Sequence, residues 1–143
     1  MILYLDSSAL VKLYVDEEGT ELVRDAVVEA QIVGTCEIAY VELRAALARR
    51  HREGAITRAL YRHVLRDIDV DWPHLFLVVV SSELVRHAAD MAERHRLRAY
   101  DAIHLASGLT MQARAEEAVT FACWDQTLQK AAGAAKLKVL AQR

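Results

Sequence analysis

The sequence predicts an α/β fold in which a central parallel sheet is covered by helices on both faces. Short apolar runs alternate with segments of helical periodicity along the whole chain. Each run is continuous rather than alternating, as expected of strands buried on both sides. The first run ends in Asp6-Ser7-Ser8, a helix-capping signal placed where a strand would hand over to a crossover helix. Such connections are right-handed, and folds of this kind bind ligands at the carboxyl edge of the sheet.

Ile2 to Leu5 is the first strand, and helical periodicity follows over Ala9 to Val15 and, after a break at Gly19, over Glu21 to Ala30. Gln31 to Thr35 reads as a second strand. Ile38 to Arg52, rich in Ala, Leu and Arg, is a helix closed by Gly54, and Thr57 opens another that runs towards Ile68 and breaks at Trp72-Pro73. His74 to Val80 is apolar and β-branched and predicts a third strand. Ser81 and Ser82 then cap a helix over Glu83 to His95, and Tyr100 to Arg114 forms the next. Ala118 to Ala122 is a fourth strand, Asp125 to Ala132 a short helix ending at Gly133, and Leu137 to Leu140 a fifth strand. No linker, repeat or low-complexity stretch interrupts the pattern, so residues 1–143 read as one domain.

Composition narrows the function classes. With 54% hydrophobic and 27% charged residues and a mean hydropathy of +0.09, the chain can bury a core and does not resemble a disordered segment. The longest apolar run, Leu75 to Val80, falls far short of the roughly 18 to 20 residues of a membrane span. The start, Met-Ile-Leu-Tyr-Leu-Asp, has no basic region, long apolar stretch or small-residue cleavage site, which points to a cytoplasmic chain. Cys36 and Cys123 show neither disulfide-framework nor zinc spacing and read as buried thiols.

The net charge of -2 hides an uneven distribution. Asp16 to Glu29 is acidic, relieved only by Arg24. Arg44 to Arg66 carries seven arginines, Arg44, Arg49, Arg50 and Arg52 among them, against the single acid Glu53. Arginine's planar fork matches phosphate oxygens, yet charge alone fits a solvated helix face equally well.

The strongest chemical clue is the placement of four acids. Asp6 and Asp125 follow the apolar runs Ile2 to Leu5 and Ala118 to Cys123, at strand carboxyl edges. Glu42 has Ile38, Ala39, Ala45 and Ala46 as its neighbours one helical turn away, and so projects from an apolar face. Asp101 lies in the first turn of its helix and is read as having no local basic partner. Taken singly, the three aspartates read as helix caps. An unpaired glutamate on an apolar face is harder to dismiss, since it requires a cation or a raised pKa. Together the four suggest a carboxylate cluster around a hard cation, Mg²⁺ or Mn²⁺, and metal-assisted phosphodiester hydrolysis.

These residues fall into motifs. Tyr4-Leu5-Asp6-Ser7-Ser8-Ala9-Leu10-Val11-Lys12-Leu13-Tyr14 resembles the opening motif of PIN-domain nucleases, especially the VapC toxins of toxin-antitoxin pairs. Glu37 to Arg44 is similar to the family's glutamate helix, Leu97 to Ala106 to its second aspartate motif, and Phe121 to Leu128 to its last acidic motif. The resemblance spans nearly the whole chain in the family's order. It implies a PIN-like three-layer α/β/α sandwich, a Mg²⁺- or Mn²⁺-dependent endoribonuclease acting on RNA, homodimerisation and inhibition by a cognate antitoxin. It assigns Asp6, Glu42, Asp101 and Asp125 to the catalytic metal site, with Ser8 as polar support. Cys36 and Cys123 depart from the Ser or Thr common in such proteins. Arg44, Arg49, Arg50 and Arg52, on the helix of Glu42, are the candidate RNA-binding residues.

His104 is set outside the site as a hydrogen-bonded core residue, and His51 and His63 are read as surface residues. Packing accounts for Trp72, Trp124 and Tyr100. Ser7 and Ser8 lack the elbow and partners of a serine nucleophile. A dehalogenase-like phosphatase would carry a second Asp where Ser8 stands. A receiver domain would carry an acidic pair before Asp6. The rival from another class is a non-catalytic RNA- or protein-binding module of the same fold, against which the retention of all four acids argues.

Overall fold

The computed structural model describes residues 1–142. Within them, β1 (Ile2–Leu5), β2 (Ile32–Cys36), β3 (Phe76–Val78), β4 (Val119–Ala122) and β5 (Lys138–Val139) form one sheet in the order β3-β2-β1-β4-β5. Every pairing is parallel, with Ile2 opposite both Ile32 and Val119. The helices are α1 (Ser7–Leu10), α2 (Thr20–Glu29), α3 (Ile38–Arg52), α4 (Arg58–Asp71), α5 (Ser82–His95), α6 (Ala99–Arg114) and α7 (Gln126–Ala134). The chain builds outward from β1 to β3 and then returns to the other side of β1. The strand order therefore reverses between β1 and β4, the crevice where doubly wound sheets bind ligands.

The two-residue period of β1 creates two cores and so the three layers. Ile2 and Tyr4 face one side, where they pack with Val119 and Phe121 of β4 and with α5, α6 and α7. Leu3 and Leu5 face the other, against α1 to α4. A register slip of one residue would exchange these faces, and burying each leucine contributes about 1.5–3 kcal/mol, so the alternation fixes where Asp6 emerges. The α6 layer lies close to the sheet. A Cβ on Gly108 would sit 2.7 Å from Phe121 Cδ2, which makes a residue without a side chain necessary there.

The predicted α/β/α sandwich is the observed fold, with differences at element ends. Helical structure begins at Ser7 rather than Ala9 and tightens into a 3-10 turn over Val11–Leu13, because Asp6 itself caps α1. The predicted strand His74 to Val80 contracts to Phe76–Val78 after a 3-10 turn at Trp72–His74. The fifth strand contracts likewise to Lys138–Val139. Both are edge strands, hydrogen-bonded on one side only, and each pairs with only part of its neighbour, β3 with residues 34–36 and β5 with residues 120–121. No described helix is long and apolar enough to cross a membrane.

Candidate active site

Asp6 is the deepest of the four acids, with 3% of its surface exposed. It caps α1: its Oδ1 accepts from the Ala9 N–H at 2.9 Å and from Ser8 Oγ at 2.6 Å. Ser8 Oγ in turn accepts from the Trp124 N–H at 3.1 Å, while the Asp6 N–H donates to the Ala122 carbonyl at 3.1 Å. The β1 turn and the segment leading to Asp125 are thereby tied together. Asp125 caps α7 through Oδ1, which accepts from the Leu128 N–H at 2.9 Å. Its Oδ2 is left for the cleft.

Glu42 enters from α3. From sequence it has no partner, and the structure corrects this: Oε1 lies 2.6 Å from His104 Nε2, and Oε2 accepts from Ser7 Oγ at 3.2 Å. His104, read from sequence as a hydrogen-bonded core residue, is one, and one of its bonds goes to the candidate acid Glu42. It is buried on α6 and its Nδ1 meets Tyr4 Oη at 2.7 Å. Helical spacing already places His104 on the face of Asp101. Its bonds to Glu42 and Tyr4, 62 and 100 residues away, have no local signature.

Asp101 also has a basic partner, contrary to the expectation from sequence. Arg98, three residues before it at the cap of α6, donates from Nε and Nη2 to Asp101 Oδ2 at 3.3 and 3.2 Å. The same guanidinium lies 3.7 Å from Asp125 Oδ2. Its side chain is 81% exposed, so it forms an arm laid over the acids. Arg96, Leu97, Arg98, Asp101, Asp125 and Thr127 line a cleft of about 220 Å³ at this point.

The electrostatics follow from this burial. Loss of water raises the Asp6 carboxyl above its ordinary value, and the charge of Asp101 raises it further. His104 and the hydrogen bonds from Ser8 and Ala9 oppose the rise. Burial likewise pushes the Cys123 thiol up, helped by Asp6, Asp125 and Asp101. Three aspartates thus act on one neighbouring group, and that thiol stays protonated. Among the described residues, no three His, Cys, Asp or Glu groups form a ready-made metal cage. Asp101 and Asp125 are instead drawn to Arg98, and Glu42 to His104.

The arginines of α3 divide into two pairs. Arg44 donates to Tyr40 Oη at 3.0 Å, and Arg50 donates to Glu17 Oε2 at 2.7 Å, so both serve bonds within the chain. Arg49 is exposed and forms only a one-turn pair with Glu53, while Arg52 is exposed with no ion pair among the described residues. Trp124 packs beneath Lys12, whose Nζ is 4.5 Å from the ring centroid, and Trp72 packs on Tyr40.

The sequence profile of the PIN domain family matches residues 3–121. A Mycobacterium tuberculosis protein named Ribonuclease VapC49 is 33% identical over 138 residues, covering 96% of this chain and 94% of that one. Among solved structures, FitAcB from Neisseria gonorrhoeae superposes with a TM-score of 0.72 at 15% identity, covering 98% of this chain and 97% of that chain. A toxin-antitoxin complex from Klebsiella pneumoniae gives 0.62 at 13% identity, with 87% of each chain covered. The structural likeness concerns the fold, but the profile match and the near full-length relative concern descent, and they establish that the chain belongs to the PIN domain family.

Proposed function

We propose that this chain is a metal-dependent endoribonuclease acting as the toxin of a toxin-antitoxin pair, with residues 1–143 working as one nuclease domain. The observation that carries the reading is the convergence of acids from separate elements on the carboxyl edge at the strand-order reversal, with the Arg98 guanidinium drawn between two of them. Relatives named Ribonuclease VapC support RNA as the substrate.

The donor set fits a hard cation. Asp6, Glu42, Asp101 and Asp125 offer carboxylate oxygens, and the Arg98 guanidinium set against Asp101 and Asp125 supports a cation at these two acids. Bound by these residues, Mg²⁺ or Mn²⁺ would lower the pKa of a water, fix the scissile phosphate and stabilise charge on the leaving oxygen.

The chain's own residues do the rest. Ser8 bonds both Asp6 and the Trp124 N–H and so keeps the Asp6 and Asp125 turns in register. Buried Asp6 concentrates negative charge at the floor, while Asp125, 39% exposed, stands at the mouth and acts more weakly. Arg98 turns from the carboxylates to the phosphate when RNA enters. Arg49 and Arg52 hold phosphates further along the strand, whereas Arg44 and Arg50 mainly fix the helix that presents them. An antitoxin inhibits by placing a basic side chain in the acidic cleft, and a homodimer in the cytoplasm is the proposed working form.

Cleavage of RNA by the purified chain with Mn²⁺, and its loss in EDTA and in Asp6→Asn and Asp101→Asn, is the deciding experiment. Intact RNA that is bound but uncut in Mn²⁺ would instead make the chain a non-catalytic binding module.

A further inference from the structure

We infer that His104 is a positioning residue for Glu42, and that Tyr4 fixes the imidazole proton so that the bond to Glu42 forms. The inference rests on the metal-dependent nuclease reading. Tyr4 and His104 are fully enclosed, in a layer whose other members are almost all apolar. Each polar atom there is satisfied: Tyr4 Oη meets Nδ1 at 2.7 Å, Nε2 meets Glu42 Oε1 at 2.6 Å, and Ser7 Oγ donates to Oε2 at 3.2 Å.

Proton directions in this chain follow from its end. A carboxylate only accepts, so Nε2–H donates to Glu42. The Tyr4 phenol donates to Nδ1 across the 2.7 Å contact, which locks the ring in the Nε2–H tautomer. The Tyr4 ring cannot turn away, because it stacks on Phe121 with centroids 5.1 Å apart and planes 5° from parallel.

The three linked elements are the ones that carry three of the acids. Tyr4 lies two residues before Asp6 on β1, His104 three residues after Asp101 on α6, and Glu42 is on α3. An apolar Phe and Leu would fill the same layer without buried polar atoms, and replacing both partners of a buried hydrogen bond by apolar groups is nearly neutral for stability. What the polar pair provides is a single orientation of Glu42, the service that outer-shell partners give metal ligands.

Manganese binding to the purified chain, measured by calorimetry or electron paramagnetic resonance, tests this beside ¹⁵N imidazole spectra recorded without metal. Wild type shows the Nε2–H tautomer at His104 and binds Mn²⁺, and Glu42→Gln binds it more weakly. His104→Leu weakens Mn²⁺ binding about tenfold, and His104→Gln, which keeps a donor towards Glu42, recovers most of it. Tyr4→Phe keeps the ring stacked on Phe121, mixes the tautomers and weakens Mn²⁺ binding severalfold. In RNA cleavage, kcat falls in both variants while KM changes little. Folded His104→Leu and Tyr4→Phe that bind Mn²⁺ as wild type does overturn this inference alone. A wild type that binds no Mn²⁺ overturns the metal reading and this inference with it.

Discussion

Two substitutions at Asp6 separate its capping role from its charge. Asparagine keeps an oxygen at Oδ1 for the Ala9 N–H and Ser8 Oγ while removing the negative charge from a nearly dry site. Alanine removes both. Asp and Asn cap helices about equally, whereas Ala costs about 0.5–2 kcal/mol, and about 1 kcal/mol moves the Tm of a chain of this size by roughly 2–4 °C. In EDTA at pH 7, Asp6→Asn should therefore melt at or above wild type, and Asp6→Ala about 3 °C below it. Burial raises the Asp6 carboxyl in the folded chain, so on raising the pH the unfolded chain loses this proton first. Stability from this group therefore falls as pH climbs from the unfolded value to the raised folded one, and the advantage of Asn opens above about pH 4 and closes below it. Mn²⁺ at ten times its dissociation constant should add about 1.4 kcal/mol to wild type and less to either variant. Thermal melts in EDTA and in Mn²⁺, across pH, measure all of this. If Asn melts as low as Ala in EDTA at pH 7, although it keeps the cap, the charge of Asp6 is itself stabilising and the acidic-site argument fails.

Arg98→Gln should tighten Mn²⁺ binding about twofold to fivefold, the equivalent of one exposed ion pair of up to about 1 kcal/mol; an unchanged calorimetric affinity would show that the arm does not compete. Glu17→Gln should cost about 2 kcal/mol at neutral pH in urea unfolding, since it leaves buried Lys12 without its 2.8 Å partner. Burial alone would raise Glu17, but Lys12 and Arg50 hold it below its ordinary value. Its contribution is therefore present above the unfolded pKa and fades as pH falls through the folded one, so the cost of Glu17→Gln should shrink below about pH 4. Arg49→Ala with Arg52→Ala should lower RNA affinity and reduce its log-log salt slope by about 0.7 for each phosphate no longer neutralised, and an unaltered slope in filter binding would mark a merely solvated face. Gly19→Ala should destabilise by about 1 kcal/mol or more, because φ there is +91° and the new methyl would strike the Trp124 ring; melts and tryptophan emission report both effects.

How much of the fold and site is legible in the sequence depends on how far each signal reaches along the chain. Caps are local: Asp6, Thr57, Ser81 and Asp125 each accept from an N–H three residues on, so the starts of α1, α4, α5 and α7 can be read within a four-residue window. The limits of β3 and β5 cannot, because each pairs with only part of one neighbour, residues 34–36 of β2 and 120–121 of β4, and that register is set far along the chain. Glu42 is legible as an anomaly, an acid among alanines, but its solution is not, since His104 lies 62 residues away. Among the arginines, spacing cannot reveal that Arg50 is engaged by Glu17 across 33 residues. Arg98 is within reach of a local signal, one helical turn before Asp101, but it stands at the cap of α6, where helical spacing is a weaker guide than inside the helix.

The bridging of two acids by Arg98 constrains how such a site could be regulated. Asp6 carries the burial cost of its charge and feels the charge of Asp101, so the cleft favours a positive occupant. Arg98 supplies one from an exposed arm, an ion pair of the kind worth at most about 1 kcal/mol, which is enough to screen the acids and too little to hold them against a divalent ion. On the proposed reading, the metal and an antitoxin's basic side chain draw on the same carboxylates and exclude one another. Each must also displace Arg98, and the displaced guanidinium would then be available to a phosphate. With RNA present this helps the metal, because the freed arginine gains a phosphate partner in the same step. An antitoxin filling the cleft leaves that arginine none, so removing Arg98 should favour the antitoxin more than it favours RNA-bound metal.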